Sequence, residues 1–366
     1  MIHYTKKYIN INLVEKNDLI MELKMSNKTI RIGAINWDAC LPKDTYFGGY
    51  TLNTLGNDTY KDRLPYFAKV ENGEYNFSFR TQEEYDIELQ YAIDAGIDFF
   101  AYCWYPDTLG ERTFWKDLGS TLLCEHYPEL NLARKLYQTS ELNKEINMCA
   151  ILFTQRAYAE SDIEDLISAM KQDYYEKIDG RPVIFTFGGY EEGFIDAIKE
   201  RTLKQGIDPY IVFMNNSATI HENLDYSKAD AISAYSSCHN GEVYDDVIEG
   251  VKEKNYKRLE SGLKEIPMIS IGWNPMPRVD RPIPWTGYHE GPYASQPTEE
   301  ELEKCFNEYF DFVDSNPDKT VTGYAIIYAW NEFEEGGYIC PTLGKNGKPD
   351  TAFLDSFTRV RNKYKK

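Results

Sequence analysis

Short, almost unbroken apolar runs recur along the chain, and most are followed by a stretch with helical spacing of apolar and polar positions. The runs are 31–37 (RIGAINW), 98–105 (DFFAYCWY), 147–154 (NMCAILFT), 182–187 (PVIFTF), 210–215 (YIVFMN), 231–236 (AISAYS), 267–273 (PMISIGW) and 324–330 (YAIIYAW). They are rich in β-branched and aromatic residues and lack strict alternation, the pattern of strands covered on both faces. Between them lie predicted helices over 81–95, 130–142, 161–172, 191–204, 244–259 and 298–313, with a last one over 351–364. Thr81 and Glu84 have the spacing of a capping box, and Gly96 supplies the stop. The connection after Asn215 offers little helix. Eight strands interleaved with helices predict an α/β (β/α)8 TIM barrel. An open doubly wound sheet is the alternative, but no GxGxxG turn follows the first run.

A barrel of about 250 residues with loop insertions fits the 366-residue chain as a single domain over 31–366. Residues 1–30 read as an N-terminal extension, with Met25 just ahead of the first strong strand. That segment carries scattered charges and no apolar run long enough for a leader or a span, so a cytoplasmic location without membrane contact is expected. The two long connections, 38–80 and 274–296, should both lie at the C-terminal face, where barrel enzymes build their sites.

Charge narrows the ligand. With 59 acidic against 40 basic residues the net charge is −19, which argues against nucleic acid and suits a neutral or cationic partner. The chain has 29 Tyr and 6 Trp, whose flat amphipathic rings stack on sugar faces as readily as they fill a core. Seven cysteines without CxxC spacing indicate neither a disulfide framework nor a zinc cluster; Cys103 and Cys149 sit in apolar runs and are expected as core thiols. His3, His126, His221, His239 and His289 form no HExxH-like pair, so no metal or other cofactor is expected. A GxSxG elbow and a phosphate-binding loop are also absent from the sequence.

The predicted strand ends collect amides, aromatics and acids: Asn36, Trp37 and Asp38; Trp104, Tyr105 and Asp107; Gln155 and Arg156; Asn215 and Asn216; Tyr235, Ser236 and His239; Trp273 and Asn274; Trp330 and Asn331. Sugar hydroxyls need paired donors and acceptors, so Asn36, Trp37, Asp38, Trp104, Tyr105, Asn215, Tyr235, Trp273, Trp330 and Asn331 are the candidate contacts to an oligo- or polysaccharide. Each has a plainer reading as a turn former or a lid over the core. The sharpest feature is Glu332, Glu334 and Glu335 directly after the last run, followed by Gly336-Gly337. A pair of carboxylates is the usual equipment for glycosidic cleavage, one as acid and one as base or nucleophile. Burial and mutual repulsion would raise the pKa of one of them.

The segment AWNEFEEGGYICP resembles the Trp/Phe-Asn-Glu-Trp-x-Glu-Gly motif of glycoside hydrolase family 99, the endo-α-mannosidases and endo-α-mannanases, and of WbsX-like domain proteins. AIDAGIDFFAYCWY is similar to that group's second strand and DGRPVIF to its fourth; ADAISAY and IGWNPMPR extend the likeness over most of 31–366. The resemblance implies a (β/α)8 barrel and retaining, metal-independent hydrolysis of α-mannoside-like linkages. It implies that Glu332 deprotonates the sugar's own 2-hydroxyl, giving a 1,2-anhydro intermediate, and that Glu335 is the general acid/base. The family's aromatic and histidine between the two acids are here Phe333 and Glu334. Two other functions fit parts of the sequence. A WbsX-like glycosyltransferase would need an activated nucleotide donor, for which no DxD-like site stands out. A glycan-binding barrel without catalysis would be signalled by missing acids, and both are present.

Overall fold

The computed structural model describes residues 30–107, 127–154, 156, 158–188, 193–216, 225–236, 239–321, 323–344 and 348–364. The N-terminal segment 1–29, Gln155, Cys124 and Cys238 therefore lie outside the described residues, as does most of the connection after Asn216.

Strand β1 (Arg31–Asn36) leads through helix α1 (Tyr46–Leu55) and a hairpin, β2 (Lys69–Glu71) and β3 (Glu74–Asn76), to α2 (Gln82–Ala95). Then come β4 (Phe99–Trp104), α3 (Leu132–Thr139), β5 (Asn147–Phe153), α4 (Glu160–Met170), β6 (Lys177–Ile178), β7 (Arg181–Phe187), α5 (Phe194–Lys204) and β8 (Tyr210–Met214). The remainder is β9 (Ala231–Ser233), α6 (Tyr244–Arg258), β10 (Lys264–Glu265), β11 (Met268–Ser270), α7 (Met276–Asp280), α8 (Glu299–Ser315), β12 (Tyr324–Tyr328), β13 (Asn331–Glu332), β14 (Gly337–Tyr338) and α9 (Ala352–Tyr364).

The main sheet runs β10-β9-β8-β7-β5-β4-β1-β12-β11 and is parallel along this path; β6 adds an antiparallel edge to β7. It curls, with β1 central between β12 and β4. This is a TIM-like α/β fold. Every residue of β4 and β8 is buried, which explains their continuous apolar sequence. Cys103 and Cys149 are buried free thiols within it.

The helix signals act as their chemistry dictates. The Glu84 amide donates to Thr81 Oγ1 (3.2 Å) while the Thr81 amide donates to Glu84 Oε2 (3.0 Å), and Gly96 ends α2 at φ 87°. At the other end of the chain, α9 packs on α8 through Phe357 and Phe306, with ring centroids 5.2 Å apart. Arg361 of α9 reaches Asp98 Oδ2 (2.9 Å), which also accepts the Ile32 amide (2.7 Å). The last helix is thus tied to the first two long strands.

Two strands, β9 and β11, fall furthest short of their apolar runs. In the run 231–236, the Tyr235 and Ser236 amides donate to the Asn216 side-chain oxygen (2.9 and 3.1 Å) instead of to a neighbouring strand. Of the run 267–273 only Met268–Ser270 is strand; the preceding β10 pairs with β9 while β11 pairs with β12, and between them the Pro267 carbonyl accepts from the Ile326 amide (3.0 Å). Among the described residues no helix is long and apolar enough to cross a membrane.

Candidate active site

The site is built on the turn that follows β12. Trp330 is fully buried and its indole N–H donates to Glu88 Oε1 (2.9 Å), fixing where the turn begins. Asn331 then ties the turn to the end of β1: its Oδ1 accepts the Trp37 amide (2.8 Å) and its Nδ2 donates to Asn36 Oδ1 (3.1 Å). Phe333–Glu335 form one 3-10 turn, and Gly336 reverses the chain at φ 76°. A Cβ on Gly336 would sit 2.5 Å from Gln296 Nε2, and one on Gly337 would sit 2.4 Å from the Tyr328 ring. The two glycines therefore let the turn press against both β12 and the connection after β11.

This packing buries three carboxylates around one guanidinium, that of Arg278 in the middle of α7. Arg278 Nη1 donates to Glu335 Oε1, and Nη2 lies 3.1 Å from Glu334 Oε2 and 3.9 Å from Glu332 Oε2. Glu335 also accepts from the Tyr288 hydroxyl on Oε1 and the Tyr328 hydroxyl on Oε2. Glu332 is differently placed. Its Oε1 accepts from Tyr235 (2.7 Å), while its buried Oε2 has no hydrogen-bond partner among the described residues. Burial, and then the neighbouring Glu335 charge, push Glu332 up to about 8, against the opposing pull of Arg278 and Tyr235. One cation cannot neutralise three anions, so the cluster favours keeping one proton. The three carboxylates around it hold the Arg278 guanidinium well above its ordinary range despite the cost of burial.

Glu332 and Glu335 form part of the wall of a cavity of about 540 Å³. Trp37, Tyr105, Tyr235 and Trp273 also line it, as do Arg156, Asn216 and Ser236. The Trp37 indole N–H donates to the Tyr105 hydroxyl (2.8 Å), which fixes the edge of one ring against the other. Tyr235 stacks on Phe187, with centroids 4.7 Å apart.

The other proposed contacts are placed behind this wall. Asp38 is in a buried ion pair with Arg80, which also holds Glu88. Trp104 lies under Arg134, whose guanidinium carbon is 3.7 Å from the ring centroid. Trp330 is held by Glu88, Asn36 and Asn331 bond to each other, and the Asn215 amide lies 3.4 Å from the Tyr226 hydroxyl. Of these six, none lines the cavity.

Several cavity residues carry no signal in the strand-end pattern. Tyr46 and Phe47 begin α1, Tyr127 lies just before α3, and Trp285 and Tyr288 lie in the connection after β11. Tyr46 stacks on Tyr127 (centroids 5.5 Å), and Phe47 lies 4.8 Å from Trp285, so two connections and the α1 region form one aromatic rim. The lengths of 38–80 and 274–296 were the visible signal; the identity of Arg278 as the shared cation was not.

The fold is thus TIM-like, with its buried carboxylates in the turn that follows β12. No protein-family model matches the chain, and no curated protein sequence does. Among solved structures, the glycoside hydrolase family 99 endo-α-mannosidase of Bacteroides thetaiotaomicron, in complex with bis-tris-propane, aligns over 91% of this chain and 97% of its own, with a TM-score of 0.51 and 13% identity. A second structure of a family 99 endo-α-mannosidase from that organism aligns over 79% and 81%, with a TM-score of 0.50 and 14% identity. At such identities the likeness is one of fold.

Proposed function

We propose that this protein is a metal-independent, retaining glycoside hydrolase acting on α-mannoside-like linkages in oligo- or polysaccharides. The observation that carries this reading is the unequal pair at one cavity: Glu335 surrounded by three donors, Glu332 with an oxygen left open, both beneath aromatic walls. The endo-α-mannosidase motif and the shared fold support the choice of sugar. The fold is read as a closed single-domain barrel in which β10 and β11 are halves of one seventh strand; the first half pairs with β9 and the second with β12. Trp37, Tyr105, Tyr235 and Trp273 are the proposed sugar contacts. Asn36, Asp38, Trp104, Asn215, Trp330 and Asn331 hold those contacts and the acidic turn in place.

In the chemistry implied by the resemblance, Glu332 takes the proton of the 2-hydroxyl, whose oxygen attacks the anomeric carbon as the glycosidic bond breaks. Glu335 protonates the departing oxygen and later activates the water that opens the 1,2-anhydro sugar. A second reading exchanges the roles: burial and the neighbouring Glu335 raise Glu332 to about 8, which suits it to hold the proton as the acid, with Glu335 and its three donors as the base.

Leaving-group dependence separates the two. An acid is dispensable when the leaving group is already a good one, whereas the base or nucleophile is needed for every substrate. Release of the leaving group in the first turnover, from an activated aryl mannoside and from an alkyl mannoside, is to be compared in Glu332→Gln and Glu335→Gln. The variant that keeps the aryl substrate and loses the alkyl one has lost the acid. Full activity of both variants on both substrates would refute the reading altogether.

A further inference from the structure

Glu334 stands between the two proposed catalytic acids, yet it does not line the cavity. It is 2% exposed and fully engaged. Thr54 donates to its Oε1 (2.6 Å), Thr51 to its Oε2 (3.2 Å), and Arg278 Nη2 lies 3.1 Å from that same Oε2. Both threonines belong to α1, and Arg278 belongs to α7. The carboxylate therefore joins two cavity-forming segments that are far apart in the sequence.

We propose that Glu334 is a positioning residue: by anchoring the second nitrogen of Arg278 to α1, it keeps that guanidinium on Glu335 and off Glu332. This rests on the reading of Glu332 and Glu335 as the catalytic pair. The geometry explains the asymmetry of that pair. Arg278 Nη2 is 3.9 Å from the open oxygen of Glu332, a gap that a small rotation would close if Glu334 were not holding it. Arg278 also lies over the Trp37 ring (5.4 Å to the centroid) and near the Tyr288 ring (5.9 Å).

The charged and titratable groups around Glu332 pull it in both directions, Glu335 and Glu334 upward and Arg278 and Tyr235 downward. Glu332 is faced by Glu335, Arg278, Glu334 and Tyr235, with Cys103 and Tyr105 nearby. Glu335 is faced by Arg278, Tyr288 and Tyr328, and Glu334 by Arg278 and the Cys40 thiol. Removing the Glu334 charge takes one anion away from Glu332 and frees a cation to approach it. Both changes ease the ionisation of Glu332.

The test is an infrared titration of the protonated carboxyl in the unliganded protein, with Glu332→Gln identifying the band, alongside pH–rate profiles. In Glu334→Gln the midpoint of Glu332 is expected to fall by about one pH unit or more, a tenfold or greater change in proton affinity. The limb of the pH–rate profile that follows Glu332 should move with it. Thr54→Val, which removes the shorter of the two threonine bonds, should move the midpoint the same way by less. If Glu334→Gln proves too unstable to study, Thr54→Val carries the test alone. An unchanged midpoint in a folded variant, or uniform loss of activity at every pH, overturns the proposal. Because the infrared titration needs no substrate, its failure is distinct from failure to find a hydrolysed glycan.

Discussion

Glu332→Gln is expected to lower turnover of an alkyl glycoside on the order of 10³-fold and, at pH 8, to raise the melting temperature. The two effects share a cause. An ordinary glutamate ionises near 4.5, whereas burial and Glu335 push Glu332 to about 8. Between those values the folded protein keeps a proton that the unfolded chain has released, so stability declines as pH rises through this window. The amide carries no charge to desolvate and removes that decline. The gain is on the order of 4 kcal/mol at pH 8, roughly 5 °C for a chain of this size, and should vanish near pH 4. Thermal melts of both proteins at the two pH values check it. A variant that is less stable at pH 8, or a difference that ignores pH, would show that Glu332 is not held protonated.

Arg278→Met should act in the opposite direction. It leaves Glu332, Glu334 and Glu335 buried together without their cation, and breaking a buried ion pair in this way costs about 3–5 kcal/mol. The defect should be largest at pH 8 and shrink as pH falls, because protonation relieves the uncompensated charges. Arg278→Lys restores charge but a single ammonium cannot span Glu335 and Glu334 as the forked guanidinium does, so its rescue should be partial. Denaturant midpoints at pH 5 and pH 8 measure both effects. A loss of equal size at the two pH values would point to lost packing on Trp37 and Tyr288 in place of lost charge.

The parts of the fold legible in the sequence are those governed by local chemistry. Continuous apolar runs such as FFAYCW marked buried parallel strands, and the Thr81–Glu84 box marked a helix start. Pro267 was visible, but the division of its strand depends on which neighbour each half meets, and that is not a local property. The site was legible by position more than by residue. Trp104 and Tyr105 are adjacent, as are Asn36 and Trp37, yet in each pair only the second, just past the end of its strand, lines the cavity, while the first packs on another face. Composition at a strand end cannot tell those faces apart without the register. Arg278 lies 57 residues before Glu335, and only the folding of the 274–296 connection onto the acidic turn makes it the hub of the site.

The central claim is hydrolysis by the acidic turn, and one incubation tests it most directly. The protein is mixed with a panel of α-mannosides and bacterial or yeast mannans, without metal or nucleotide sugar, and released fragments are read by mass spectrometry beside Glu335→Gln. Fragments are expected from the wild-type protein and should disappear in the variant. No release from any glycan, or equal release by the variant, would contradict it.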